Sequence, residues 1–416
     1  MSASVRVRQR TGLRRERHDP DYSILLAVVA LSAIGILMVY SSSAMTAYVR
    51  SADTFRIVGP QLMWAFLGLI AMGVTMRLDY RFLRVLSVPM YVAAVVLLVL
   101  VLVPGLGIRV GGSARWLQIG PLPAVHPAEF AKLALIVYLA HWFAAKGRDA
   151  GSFTRGFVPF VLIFAPVLLL VMAEPDLGTS SVIGITAFTM FFLAGANLFQ
   201  LGIMASAGFA TVVLFVSRTP YQLERVRTFI DPWQDPQGAG FHTIQGLLAL
   251  GLGGILGSGL GESRSAGGLF LPNAFNDFIF AIVGEEFGLV GAAIVILLFG
   301  VLAYGGVRAA LGAPDTFGAL LAAGITAWLV IQAFINIAVV VALLPVTGIT
   351  LPFISAGGSS LIVSFAAVGI LLSISRETVA HGRWTDASAD RGRGHGRAHL
   401  PGARRRPVAA RAPGRA

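Results

Sequence analysis

The carboxylate of Asp277 sits where the polar turn Leu271-Pro-Asn-Ala-Phe-Asn-Asp277 runs into the apolar residues Phe-Ile-Phe. Asn276 reads as an N-cap, which puts Asp277 in the first helical turn, where the helix dipole favours its anionic form. Glu285 and Glu286 follow about two turns deeper. Two adjacent carboxylates inside an apolar helix cannot both face hydrocarbon, so a polar seam runs beneath Asp277, either catalytic or a packing network. Glu129 and Lys132, in His-Pro-Ala-Glu-Phe-Ala-Lys-Leu-Ala, share one helix face, as an ion pair that locks packing or as the wall of a polar cavity. In Glu174-Pro-Asp176-Leu-Gly-Thr the proline breaks one helix and Asp176 can cap the next. Arg115-Trp116 in one loop, and Arg225, Arg227, Asp231, Trp233 and Asp235 in another, suit either interfacial anchoring or paired hydrogen bonds to phosphate. Gly357-Gly-Ser-Ser360 and Gly251 to Gly261 lack the Gly-Lys-Ser/Thr ending of a nucleotide loop and read as close backbone packing.

The elements that must hold these groups are membrane helices. Of 416 residues 56% are hydrophobic and only 12% charged, too little polar surface to coat a water-soluble globule. The chain reads as an all-α, polytopic integral membrane protein of about ten transmembrane helices, since about 20 apolar residues cross the bilayer core. The runs are Ser23 to Met45, Val58 to Met76, Phe82 to Val103, Ala128 to Ala145, Val158 to Ala173, Thr179 to Ala196, Leu198 to Val216, Phe278 to Tyr304, Phe317 to Leu344 and Pro352 to Ile374. Thr243 to Gly261 is long enough to be an eleventh, but about seven glycines weaken it as a helix, and it reads as re-entrant or interfacial.

An even number of spans puts both ends on one side, and the placement of Lys and Arg makes that side cytoplasmic. The net charge of +12 is concentrated in the first 20 and last 40 residues and reads as topology, not as a nucleic-acid surface. The organisation is then a basic amino-terminal segment, 1–21, a membrane domain, 22–376, and a disordered basic tail, 377–416. The Arg-rich start leads into a span too long for a signal peptide and reads as retained. Two outer loops, Pro104 to Pro127 and the larger 217–276, are long enough to be functional. Zero cysteines exclude disulfides, thiolate metal sites and a cysteine nucleophile.

Seven segments in order carry a resemblance: Arg115-Trp116-Leu, Pro127-Ala-Glu-Phe-Ala-Lys132, Glu174-Pro-Asp-Leu-Gly-Thr179, Phe229-Ile-Asp-Pro-Trp233, Asn276-Asp-Phe-Ile-Phe280, Gly284-Glu-Glu-Phe-Gly288 and Leu351-Pro-Phe-Ile-Ser-Ala-Gly-Gly-Ser-Ser360. Over nearly all of residues 21 to 376 they resemble the SEDS family of bacterial cell-wall proteins, which includes the FtsW and RodA types. The resemblance implies a peptidoglycan glycosyltransferase in the cytoplasmic membrane that polymerises lipid II at the outer face, beside a class B penicillin-binding protein and other divisome membrane proteins. It makes Asp277 the essential carboxylate and assigns substrate binding to Arg115, Glu129, Lys132, Asp176 and Ser359. Gly259-Leu-Gly-Glu-Ser-Arg264 is more similar to the FtsW, or division, version than to the RodA version.

Coupling an α-linked sugar pyrophosphate into a β-linked polymer inverts the anomeric centre. That requires a base at the attacking hydroxyl, for which Asp277 is the candidate, and positive charge at the departing pyrophosphate, from Lys132, Arg115 or a divalent cation such as Mg2+ or Mn2+. The lipid tails imply a lateral groove beside the fourth and eighth spans. The sequence departs from the family pattern at Asn273, Phe275 and Asn276, where Glu, His and Thr or Ser are usual, and at Ala128 and Ala356. A lipid flippase or transporter, or a non-catalytic divisome scaffold, are the alternatives.

Overall fold

The computed structural model describes residues 15–379 apart from 18, 52, 111–112, 119–123, 239, 266–270 and 272–273. Most of the basic amino-terminal segment, nearly all of the tail, and Asn273 lie outside the described residues.

The helices follow the apolar runs. In chain order they are α1 (Tyr22–Ser51), α2 (Phe55–Arg77), α3 (Phe82–Leu102), α4 (Pro127–Lys146), α5 (Val158–Ala173), α6 (Leu177–Leu193), α7 (Leu198–Arg218), α8 (Pro220–Ile230), α9 (Phe241–Gly253), α10 (Ile279–Gly312), α11 (Thr316–Val340) and α12 (Gly358–Ser375). Four short strands accompany them: β1 (Arg15–Arg17) pairs with β4 (Glu377–Val379), and β2 (Gly107–Val110) with β3 (Ser113–Leu117), both antiparallel. Among the described residues nine helices are long and apolar enough to span a bilayer, and α6, at 17 residues, supplies the tenth run. α4, α11 and α12 are mostly buried and make the centre of the bundle, whereas α7 is largely exposed.

The two ends of the bundle differ in charge. At the end where α1 begins and α12 finishes, the Asp21 amide donates to Ser375 Oγ (3.2 Å) and Arg308 lies 3.6 Å from Asp21. Nearby, Arg81 ties the α2–α3 and α10–α11 turns to β4, donating to Asp315 Oδ2 (3.2 Å) and Glu377 Oε2 (2.7 Å), while Tyr80 donates to Asp315 (2.7 Å). The Asp315 carboxyl is held below the usual carboxylate range: burial pushes it up, but the Gly318 amide, Tyr80 and Arg81 together outweigh that. Helix polarity puts Arg77 and Lys146, in the last turns of α2 and α4, at this same end.

The eighth run departs from the sequence expectation in two ways. Asn276 is not an N-cap: residues 274–278 form turns and α10 starts at Ile279, so Asp277 precedes the helix instead of lying in its first turn. α10 is also broken at Gly288, where φ is +65°. The segment after α9 fills the break. Ser258 and Gly259 amides donate to the carbonyls of Glu285 (2.9 Å) and Glu286 (3.1 Å), and the Leu289 and Val290 amides donate to Gly254 (2.9 Å) and Ile255 (3.2 Å). Backbone groups freed by a broken helix are costly in hydrocarbon, and this main-chain pairing satisfies them. It demands close approach: at Gly257, with φ +85°, a Cβ would lie 2.1 Å from the Glu286 carbonyl oxygen. The glycines that weaken Thr243 to Gly261 as a span are thus what let it pack. α9 itself, about 20 Å long, falls short of the bilayer core, as a re-entrant element should.

Candidate functional site

A cavity of about 450 Å³ opens at the end of the bundle opposite the charged turns, within the range usual for ligand sites. It is lined by Arg115 and Trp116 from β3, His126 and Glu129 at the start of α4, Asp176 and Thr179 at the start of α6, Asn276 and Asp277 before α10, Gly348 to Thr350 with Ala356 and Gly357 between α11 and α12, and Ser359 and Ser360 in the first turn of α12. Of the residues singled out in the sequence, Asp277, Arg115, Glu129, Asp176 and Ser359 share this one wall. Lys132 does not reach it. Its ammonium is buried one turn below, donating to Glu129 Oε1 (2.9 Å) and Gln332 Oε1 (2.7 Å), 5.1 Å from the Trp328 ring. It therefore fixes Glu129 from beneath.

Asp176 does cap α6: Oδ1 accepts from the Thr179 amide (3.1 Å) and Oδ2 from the Thr179 hydroxyl (2.8 Å). His126 stands between two acids, with Nε2 3.7 Å from Asp176 Oδ2 and Nδ1 3.9 Å from Glu129 Oε1. Burial nevertheless pushes its pKa down, so the imidazole is neutral at physiological pH. Its amide donates to Ser359 Oγ (3.1 Å), which joins α4 to α12 across the cavity. Arg115 reaches over the α5–α6 turn, and its guanidinium donates to the carbonyls of Glu174 (3.4 Å) and Pro175 (2.7 Å).

Asp277 is held through its main chain. Asn336 Nδ2, on α11, donates both to the Asp277 carbonyl (2.8 Å) and to the Ile349 carbonyl (2.7 Å). One turn earlier Gln332 Nε2 donates to Thr350 (3.0 Å) while its Oε1 accepts from Lys132 and from Trp328 Nε1 (2.8 Å). Gln61 of α2 pins the same loop through Ser355 and Gly357, both at 3.2 Å, and the Ala356 amide donates to the Phe275 carbonyl (2.9 Å). Phe275 and Ala356 thus meet through backbone atoms, and Ala356 also lines the cavity. Burial raises the Asp277 carboxyl above the usual carboxylate range, against a backbone hydrogen bond and, after it, the charges of His242 and Arg225 of the outer loop.

Depth along the helices can be read from their rise. From Asp315 at the charged end to Asn336 beside Asp277, α11 covers about 31 Å at 1.5 Å per residue, close to the thickness of a hydrocarbon core. Ser41 donates to Glu286, and α1 covers about 27 Å from Ser23 to Ser41 on the same rise. Glu285 and Glu286 therefore lie near the boundary of the core and not well below it, because the break at Gly288 leaves the later part of α10 to cross alone. Glu285 accepts from Ser263 Oγ (2.6 Å) and the Arg264 amide (2.8 Å), which makes it an anchor for the loop after α9.

Among the described residues no three carboxylate, imidazole or thiol groups converge as a metal cage. Asp176 is occupied in capping, whereas Glu129 Oε2 is buried without a hydrogen-bond partner.

The family model for FtsW, RodA and SpoVE, described as "cell cycle protein", matches residues 22–380. Stage V sporulation protein E of Bacillus subtilis is 44% identical over 364 residues, 87% of this chain and 98% of that protein. A probable peptidoglycan glycosyltransferase FtsW of Geobacter sulfurreducens is 42% identical, covering 85% of this chain and 95% of the relative. Among solved structures, a chain of a peptidoglycan synthase complex that coordinates polymerization and crosslinking superposes with a TM-score of 0.70 at 31% identity, covering 86% of this chain and 98% of that one. Thermus thermophilus RodA superposes with a TM-score of 0.63 at 27% identity, covering 86% and 97%.

Proposed function

The chain belongs to the FtsW, RodA and SpoVE family of cell cycle proteins, and from that premise we propose how it works as a peptidoglycan glycosyltransferase. The substrate is lipid II, and the reaction is a single inverting displacement at the end of the membrane domain where the cavity opens. Asp277 takes the proton from the attacking 4-hydroxyl, and Arg115 receives the pyrophosphate as charge builds on it. Asp176 and Ser359 line the path of the sugars, and Lys132 holds Glu129 in place from below. General-base assistance is worth about 10² to 10⁴ in rate. A Mg2+ or Mn2+ ion entering with the pyrophosphate, with Glu129 Oε2 as its protein ligand, would neutralise part of the leaving-group charge.

The observation that carries this reading is the cavity itself, which gathers Asp277, Arg115, Glu129 and Asp176 about 31 Å from the charged turns. Basic residues at the charged end favour a cytoplasmic placement of both termini, with the cavity outside. A carrier would keep its ionisable groups near the midplane, and the depths worked out for Asp277 and Glu286 speak against that. A scaffold has no need of a polar cavity of this size. Within the family, the sequence of Gly259 to Arg264 favours the division, or FtsW, role over the RodA one, and a class B penicillin-binding protein as the crosslinking partner alongside divisome membrane proteins. The lipid tails would remain in hydrocarbon beside α4 and α10. Purified protein, with and without a cognate transpeptidase, should polymerise labelled lipid II. Failure of both preparations to make glycan strands would overturn the assignment.

A further inference from the structure

Glu174 plays no part in the reaction as described above, yet it is fully buried, and neither carboxylate oxygen has a hydrogen-bond partner. Its neighbour Arg115 lines the cavity, but the guanidinium bonds are to carbonyls of the Glu174-Pro175 turn, and among the described residues no carboxylate lies within 4.0 Å of it. The turn therefore holds a cation without neutralising it. An ionised carboxylate without partners in a buried site is strongly disfavoured. Burial first, and Asp176 second, push Glu174 up to about 8, with Arg115 opposing. Asp176 comes from its own turn, and behind it stand the neutral His126 and the Lys132-paired Glu129 of α4.

We propose that Glu174 is a positioning residue for pyrophosphate binding: a buried carboxyl that keeps its proton, shapes the turn around Arg115, and so leaves the charge of Arg115 available to the anionic substrate. The proposal rests on the reading of Arg115 as the pyrophosphate ligand. Its consequence has a definite sign. Below about 8 Glu174 is neutral and Arg115 presents its whole charge. As pH rises through that value the carboxylate appears beside the guanidinium and competes with the phosphate for it.

The test is binding of detergent-solubilised lipid II to the full chain at pH 7, 8 and 9, each protein referred to its own value at pH 7. Wild type should lose about fivefold in affinity by pH 9, the effect expected when bound substrate raises a group near 8 by about one pKa unit. Glu174→Gln, which keeps the shape and cannot ionise, should change less than about twofold. Arg115→Gln should be flat as well, because the charge that Glu174 cancels is gone, and this variant decides the question should Glu174→Gln fail to fold. A Glu174→Gln curve that tracks wild type, or a wild type that is itself flat, overturns the proposal. Polymerisation measured in parallel answers separately for the glycosyltransferase reading, since binding is read without turnover.

Discussion

Asn336 offers the most informative perturbation away from the reacting groups. Its amide makes two hydrogen bonds, at 2.8 and 2.7 Å, to the carbonyls of Asp277 and Ile349, and together with the Ala356 amide to Phe275 carbonyl bond they join the Asp277 turn to the loop that closes the cavity. Asn336→Ala leaves both carbonyls without that donor, at about 1–3 kcal/mol each. Part is recovered because Asn336 Oδ1 is itself unsatisfied in the native protein and vanishes with the side chain, so the net cost should be about 2–4 kcal/mol. The effect on turnover should be larger than a stability loss implies. A displacement of the order of 1 Å in a reacting group costs about 10²-fold, and Asp277 loses its tether. The assay is lipid II polymerisation at saturating substrate, together with thermal unfolding in detergent. Ser364→Ala serves as the control, since Ser364 Oγ is equally buried and has no partner, so its removal should cost nothing. An Asn336→Ala protein with kcat within twofold of wild type and unchanged Tm would refute the argument that this amide holds Asp277.

Two further outcomes follow from the same geometry. Lys132→Met strips Glu129 of its 2.9 Å ammonium partner and should cost about 3–5 kcal/mol, as for breaking one half of a buried pair; Lys132→Met combined with Glu129→Gln should recover much of it, and thermal unfolding of the single and double variants checks this. Gly257→Ala forces a Cβ to within 2.1 Å of the Glu286 carbonyl in a backbone conformation with φ +85°, so it should loosen the loop after α9, seen as faster hydrogen exchange at Ser258 and Gly259; unchanged protection there would count against the backbone pairing.

Much of this arrangement could be read from the amino-acid sequence because membrane helices obey a simple length rule and charged residues within them are few. The ten runs, the Asp176 cap and the Glu129–Lys132 pair all follow from spacing along a single helix. What could not be read depended on contacts distant in sequence. Gln332 and Asn336 lie four apart in an apolar run, and without knowing what faces them they look like ordinary core amides. His126 lies between two acids contributed by different helices, and Glu174 was legible as part of a turn but not as a carboxyl sealed away from every donor. Asn276 looked like a cap, but turns over residues 274–278 delay the helix to Ile279, and Glu285 and Glu286 looked deep because the run from Phe278 onward shows no outward sign of a break. The break is made by Gly288 together with main-chain partners from residues 254 to 259. A glycine in an apolar stretch does not announce which distant backbone will fill the gap it makes.

In the proposed reaction one carboxylate at the mouth of the cavity removes a proton from a sugar hydroxyl. The decisive measurement is polymerisation of labelled lipid II by purified Asp277→Asn, shown folded by its unfolding transition and assayed with an added class B penicillin-binding protein. Strand synthesis should fall by at least about 10²-fold with lipid II still bound. Glycan strands made at the wild-type rate would contradict it.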